Sequence, residues 1–328
     1  MAFFVPSSEH VPAYLNRRLL AATLPGMIKP ARMIRLLLGL LLLLLLPAGL
    51  VAHPALWVVK DADTIIYLFG TVHLLPTDTD WRYPELDRAL ADSQTLYIEI
   101  TDDDPANMAA LVMRHGMNPG HPLSNLLSPS EAHRLRLTAN KIGVPGGMQT
   151  LDMMRPWLAA LTLATTPLLK AGLDPRQGVD KQLKALMLDS DKPVLGLETA
   201  EQQIRFLADM PQAIQLALLR STLRDVGKGP ILLTQLIEAW KSGDMDTFAR
   251  IDDGDMRKHE PQLYQRLLVQ RNEAWATTIA AMLKQPGTVF IAVGAAHLAG
   301  PDSVQAQLRK LNIETLRDRK STRLNSSH

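Results

Sequence analysis

Two histidines repeat one local pattern. Ile65-Ile66-Tyr67-Leu68-Phe69-Gly70-Thr71-Val72-His73-Leu74 and Val289-Phe290-Ile291-Ala292-Val293-Gly294-Ala295-Ala296-His297-Leu298 are each a five-residue apolar run followed by Gly-x-x-His-Leu. A glycine directly after a buried strand permits a sharp exit from a sheet. The histidine three residues on then lies just past the strand's carboxyl end, the edge along which open α/β sheets bind ligands. Two such exits bring His73 and His297, 224 residues apart, to one crevice. Carboxylates end two further apolar runs. Glu99 closes Leu96-Tyr97-Ile98-Glu99, and Glu198 follows Val194-Leu195-Gly196-Leu197. A carboxylate in that position is costly to bury unless it is paired, protonated or bound to metal. Two imidazoles with one or two carboxylates can hold Zn, Mn, Co or Fe with a position left open. The same groups can serve as general base and acid without metal, and spacing leaves both readings open.

Other chemistries are excluded or set aside. The absence of cysteine removes thiol nucleophiles, Cys-bound zinc and iron–sulfur clusters. There is no Gly-x-Ser-x-Gly elbow and no Walker loop. His259-Glu260 runs into Pro261 and Leu263 and forms no zinc helix. His133 sits beside Arg134 and Arg136 on a solvated helix face, while His115 and His121 flank a Gly/Pro turn and are expected to face water. Asp102-Asp103-Asp104 reads as a helix entrance, lacking the ligand spacing of a calcium loop.

The elements that must position the four strand-end residues are legible in outline. Leu56–Val59 and Ile65–Phe69 form a hairpin across the polar stretch Lys60–Thr64. Thr95–Ile100, Pro193–Leu197 and Thr288–Val293 are three more strands. Several are apolar throughout, as strands covered on both faces are. Helical spacing marks 152–170, 201–225, 230–250 and 262–284. Ser128-Pro129-Ser130-Glu131 carries a capping box and Asp104-Pro105 opens a helix in the same manner. Asp180 is expected to cap a helix Lys181–Leu188. The alternation predicts an α/β fold with a central mixed or mostly parallel sheet flanked by helices, and the strand-poor stretch 105–190 predicts a helical insertion over one edge.

Both ends read differently from the middle. Lys29, Arg32 and Arg35 precede the apolar run Leu36–Leu46, then Pro47 and the small residues Ala48–Ala52. That is a secretory signal, with Met27 or Met33 as better-proportioned starts than Met1; an uncleaved membrane anchor is the alternative. Residues 319–328 have no apolar period and resemble translated adapter sequence. Residues 53–318 then form one domain. The ends hold eight of the 35 basic and one of the 33 acidic residues, leaving 27 against 32 and a net charge of −5. An acidic core argues against nucleic acid as partner, and contact with a membrane is expected only through the signal segment.

Gly70-Thr71-Val72-His73, Glu99, Gly178-Val179-Asp180, Gly196-Leu197-Glu198, Arg271-Asn272-x-x-Trp275 and Val293-Gly294-Ala295-Ala296-His297-Leu298-x-Gly300 resemble, in this order, the motif series of TraB/GumN proteins. That family is similar to the Tiki metalloproteases, in which two Gly-x-x-His motifs and a Glu serve metal-dependent peptide cleavage, and more distantly to the erythromycin esterases and the haem-binding ChaN group. The resemblance implies a periplasmic or secreted hydrolase with a divalent metal (Zn, Mn or Co) on His73, Glu99 and His297. It also implies catalytic roles for Glu198, Arg271 and Asn272, Arg271 steadying an oxyanion, with a peptide or small molecule as substrate. The alternatives are a metal-free hydrolase of the esterase type, and a non-catalytic protein binding haem or an exported polysaccharide, the last suggested by the exopolysaccharide setting of the GumN name.

Overall fold

In the computed structural model, residues 52–318 are described, apart from Asp78 and Asp253. The expected signal segment, up to Val51, and the tail at 319–328 lie outside the described residues. Within them the expected hairpin forms first. Asp61 accepts from the backbone N–H groups of Asp63 and Thr64 through Oδ1, at 3.2 and 2.9 Å, closing the turn between β1 (Leu56–Lys60) and β2 (Thr64–Thr71). With β3 (Thr95–Ile98), β4 (Val194–Gly196), β5 (Gly287–Gly294) and β6 (Leu316–Arg317) these make one sheet of order β4-β3-β5-β2-β1-β6. The pairs β4–β3, β3–β5 and β5–β2 are parallel, and β1 is antiparallel to both neighbours. The protein is therefore α/β with a mixed, mostly parallel sheet. Strand β6 is an addition to the five expected strands; two exposed residues carry no pattern to find.

The β2–β5 register matters for the site. Thr64 pairs with Gly287 and Thr71 with Gly294, so Gly70 stands opposite Val293 rather than Gly294. The two Gly-x-x-His segments are thus one residue out of step. Because side chains alternate across a strand, the two glycines open to opposite faces of the sheet. On one face Phe69, Trp81, Trp240 and Phe290 pack in a chain of ring contacts at 6.0–6.4 Å between centroids. Fully burying a large apolar side chain contributes about 1.5–3 kcal/mol, so this cluster is a principal source of stability. Trp240 Nε1 also donates to the Gly70 carbonyl at 2.7 Å, satisfying the group at which β2 bends away.

Helices cover both faces. Pro84–Asp92 (α1) leads into β3. The expected insertion runs between β3 and β4 and includes α2 (Pro105–Gly116), α3 (Pro129–Ile142), α4 (Gly147–Asp152), α5 (Pro156–Lys170) and α6 (Val179–Asp189). Asp104 caps α2 through two backbone N–H groups and Ser128 completes its capping box on α3. Leu123, Leu135, Leu151 and Leu163 of the insertion form an apolar cluster completed by Leu219 from beyond β4.

All four of the expected long helices are interrupted or altered. The 201–225 stretch splits at Met210-Pro211 into α7 (Ala200–Ala208) and α8 (Gln212–Asp225), since proline cannot continue the bonding ladder. The 230–250 stretch splits into α9 (Gly229–Lys241) and α10 (Met245–Asp252) at Gly243, whose φ of 68° is left-handed. The 262–284 stretch passes through a π-helical turn at Gln265–Val269 before α11 (Gln270–Met282). The 152–170 stretch becomes a helix only at Pro156. No helix among the described residues is long and apolar enough to cross a membrane.

Candidate functional site

Strands β2, β3, β4 and β5 all end at one edge and deliver His73, Glu99, Glu198 and His297 there. At Gly294 the direction that a side chain would take leads to Glu99 Oε1 at 3.1 Å, His73 Nε2 at 3.6 Å and His297 Cδ2 at 3.7 Å, measured from an ideal Cβ position. The absent side chain leaves a small space bordered by all three residues. Gly70 does the opposite: its open side meets the Ala295 backbone at 3.1 Å.

Each imidazole is held from behind. His73 donates from Nδ1 to Asp180 Oδ1 at 3.1 Å, which turns Nε2 towards the Gly294 space. Asp180 reaches it because Gly178 packs without room for a Cβ, 2.8 Å from the His73 carbonyl, and Val179 N–H donates to the Val72 carbonyl. The cap of α6 is Gly178, with no side-chain cap bond, so Asp180 is not the helix cap the sequence suggested. His297 is buried, and its Nδ1 lies 2.6 Å from Asn272 Oδ1. Asn272 Nδ2 donates to the Asp302 carbonyl, which leaves Oδ1 as the acceptor and fixes the proton on His297 Nδ1. Asn272 is therefore behind the imidazole and wholly buried, not facing the crevice as expected.

Arg271 ties the carboxylates together. Its Nη2 donates to Glu99 Oε2 at 2.7 Å and Glu198 Oε2 at 2.8 Å, and Nε to Glu198 Oε1 at 2.9 Å. Nη1 donates to the Leu267 carbonyl and to His297 Nε2 at 3.0 Å. The guanidinium also lies 4.8 Å from the Trp275 ring and 5.4 Å from Phe206. Every one of its nitrogens is engaged, so in this arrangement the oxyanion role expected for Arg271 has no free donor. Glu198 is likewise committed, to Arg271 and to Gln203. Gln203 bridges Glu198 and Glu99, at 3.2 and 2.7 Å, and no sequence motif had singled it out.

The electrostatics follow from these contacts. Burial alone would raise the Glu99 carboxyl, but His297, Arg271, His73 and the Gly294 N–H together hold it well below the ordinary carboxylate range. For His297 burial dominates and, with Arg271 and His73, pushes it down to about 3 against the pull of Glu99. His73 stands exposed at the mouth of the crevice; the desolvation it meets there would lower it, yet Asp180 and Glu99 outweigh that and raise it. Arg271, opposed by burial, is raised by Glu198 and Glu99. At neutral pH the space thus faces an ionised carboxylate and a neutral imidazole.

Those are donors suited to a divalent cation: imidazoles with Nδ1 held by a second residue, and a permanent carboxylate. The donor chemistry fits, although Arg271 stands on the His297 lone pair. Among the described residues no group of three or more His, Cys, Asp or Glu side chains is spaced to hold an ion as it stands.

The histidines set aside in the sequence fall outside the crevice. His121 is exposed beside Asn118 and His133 is exposed on α3. His115 differs from expectation: it is partly buried and meets Glu201 at 3.0 Å, joining α2 to α7.

A mostly parallel sheet whose strand ends collect two Gly-x-x-His histidines, two glutamates and a buried arginine defines the class of protein. The chain belongs to the TraB/PrgY/gumN family, which it matches over residues 55–316. It is similar to YbaP of Escherichia coli strain K12, a protein described only as uncharacterized, at 28% identity over 263 residues, 78% of this chain and 92% of that one. YbaP of Shigella flexneri matches to the same extent. An uncharacterized protein of Treponema pallidum (strain Nichols) is 23% identical over 272 residues, 78% of this chain and 80% of that one. No solved structure matches.

Proposed function

We propose that this protein is an exported, metal-dependent hydrolase, with His73, Glu99 and His297 as the ligands of a divalent ion such as Zn, Mn or Co. The observation that carries this reading is the arrangement of the two imidazoles. Each has its Nδ1 side anchored, by Asp180 and by Asn272, and both border the Gly294 space beside ionised Glu99. Groups titrating far from neutrality, as Glu99 and His297 do, are poor proton shuttles but good ligands. When bound, the ion would supply Lewis-acid polarisation and ease the deprotonation of water. The chain's own residues bind, orient and balance charge: Asp180 and Asn272 fix the imidazoles, while Arg271 and Gln203 hold the carboxylates. The substrate class is a peptide or a small molecule. Export rests on Lys29–Ala52, which predicts a periplasmic or secreted product.

A second reading has its own observation. Arg271 on His297 Nε2, together with the Asp180–His73 pair, favours a metal-free hydrolase in which His73 Nε2 accepts a proton from water.

Elemental analysis of untagged protein, followed by chelation and metal add-back in hydrolysis assays, separates the two. Stoichiometric metal, with activity lost on chelation and restored by the ion, supports the first; full activity after chelation supports the second. His73→Ala and His297→Ala should each abolish tight Co²⁺ binding, with the double variant little worse than either, because ligands of one ion act as a unit. Additive effects would sink the shared site. A haem Soret band in protein without hydrolytic activity would overturn both readings in favour of a binding protein.

A further inference from the structure

Five buried side-chain polar atoms among the described residues have no hydrogen-bond partner: Thr71 Oγ1, Gln215 Oε1, Trp275 Nε1, Gln305 Oε1 and Thr315 Oγ1. An orphaned buried hydroxyl costs stability, and its retention calls for an explanation. Thr71 is the one of the five carried by a strand that ends in the crevice. It is 2% exposed, closes β2, and pairs with Gly294. Paired residues of neighbouring strands send their side chains to the same face, about 5 Å apart. The Thr71 side chain therefore leaves the sheet alongside the open side of Gly294, the side bordered by Glu99 Oε1, His73 Nε2 and His297. Valine has the same shape, suits a strand equally well and would leave no orphan. Thr71 thus carries a hydroxyl that the fold itself does not use.

The chemistry of the space says what that hydroxyl could do. His73 Nε2 and the Glu99 carboxylate are acceptors, and the nitrogens of Arg271 are all engaged. Hydrolysis of a carboxylic ester or amide adds water to the carbonyl carbon, breaks the C–O or C–N bond as the alcohol or amine departs with one of water's protons, and passes through a state with negative charge on the carbonyl oxygen. That oxygen needs a donor. Resting on the hydrolase reading above, we propose that the Thr71 hydroxyl is that donor, hydrogen-bonding the carbonyl oxygen of an ester or amide substrate without transferring its proton.

The proposal predicts opposite effects on stability and turnover. Relative to wild type, ion-free Thr71→Val should melt about 2–4 °C higher, because an orphaned polar atom is gone. Its kcat on p-nitrophenyl acetate, with Co²⁺ supplied, should fall about 100-fold with KM little changed. Thr71→Ser should keep most of the activity and none of the added stability. A Thr71→Val protein that melts lower would show that the hydroxyl is bonded within the fold, and one that keeps its kcat would show that the substrate does not use it; either result overturns the proposal. If wild type hydrolyses neither p-nitrophenyl acetate nor labelled casein, with or without Co²⁺, the hydrolase reading falls and takes this one with it. An active wild type matched by Thr71→Val defeats the Thr71 proposal alone.

Discussion

His73 Nδ1 and Asp180 Oδ1 lie 3.1 Å apart across 107 residues of chain, joining the exit of β2 to the first turn of α6. A side chain at the mouth of the crevice, 61% exposed, is thereby aimed by the helical insertion rather than by its own strand. Removing the acceptor frees the ring. Asp180→Ala should weaken Co²⁺ binding about 10–100-fold, the usual cost of losing a residue that orients a ligating histidine. Asp180→Asn should lose less, since its amide oxygen still accepts. Calorimetric titration reads the affinity and the melting temperature controls for folding; unchanged affinity in Asp180→Ala would refute the role.

The two motif glycines, alike in sequence, should differ in their failure. Gly70→Ala puts a methyl 3.1 Å from the Ala295 backbone, so the strand exit must shift, and should cost roughly 1–3 kcal/mol of stability in urea unfolding. Gly294 has φ −48°, open to any residue, so alanine there should change stability by less than about 1 kcal/mol. It would instead fill the space beside Glu99 and His73 and abolish ligand binding. Equal stability losses from the two substitutions would contradict the opposed faces.

Arg271 neutralises two carboxylates that are 13% and 8% exposed, while being 11% exposed itself. Arg271→Ala leaves Glu99 and Glu198 without a counter-ion and should destabilise by about 3–5 kcal/mol. Lysine restores the charge but not the fork, so Arg271→Lys should fall between. A loss below about 1 kcal/mol for alanine, measured by urea unfolding at neutral pH, would show that the carboxylates have other support.

Glu131 supplies the pH dependence easiest to isolate. Arg220 at 2.7 Å and the N–H and hydroxyl of Ser128 hold its carboxyl down to about 2. A depressed carboxyl contributes stability that is complete above its unfolded value, near 4.5, and is lost as pH falls through 4.5 towards 2. The stability gap between wild type and Glu131→Gln should therefore be widest at neutral pH and close across that window. A constant gap from pH 7 to pH 3 would remove Glu131 as its source.

The strand-end residues were legible because an apolar run closed by Gly-x-x-His, or by a glutamate, marks where a strand leaves a sheet, and four strand ends share one edge. That two residues of the motif series brace the imidazoles from behind was not. Asp180 and Asn272 meet their histidines across 107 and 25 residues, through contacts that leave no spacing in the sequence. Arg271 was found, but its saturation by Glu99, Glu198 and His297 depends on side-chain packing that periodicity does not encode. The echo of the two Gly-x-x-His segments suggested equivalence, whereas a one-residue register offset makes one histidine exposed and the other buried. Helix breaks at Pro211 and Gly243 lay inside patterns that remained apolar at helical spacing on both sides, which masked them.

The pairing of β2 with β5 joins residues 64–71 to residues 287–294, nearly the two ends of the described chain. β5 stands between β2 and β3, and β4 reaches the rest of the sheet only through β3, so the centre of the sheet waits for the last long strand to be made. Ribosomes deliver the N-terminal end first, and pairings between distant segments are slow to form. During synthesis, β2 and β3 must therefore persist without their shared neighbour. The crevice closes only after almost the whole chain has been released. A nascent or C-terminally clipped chain lacking β5 would carry His73 and Glu99 but no site.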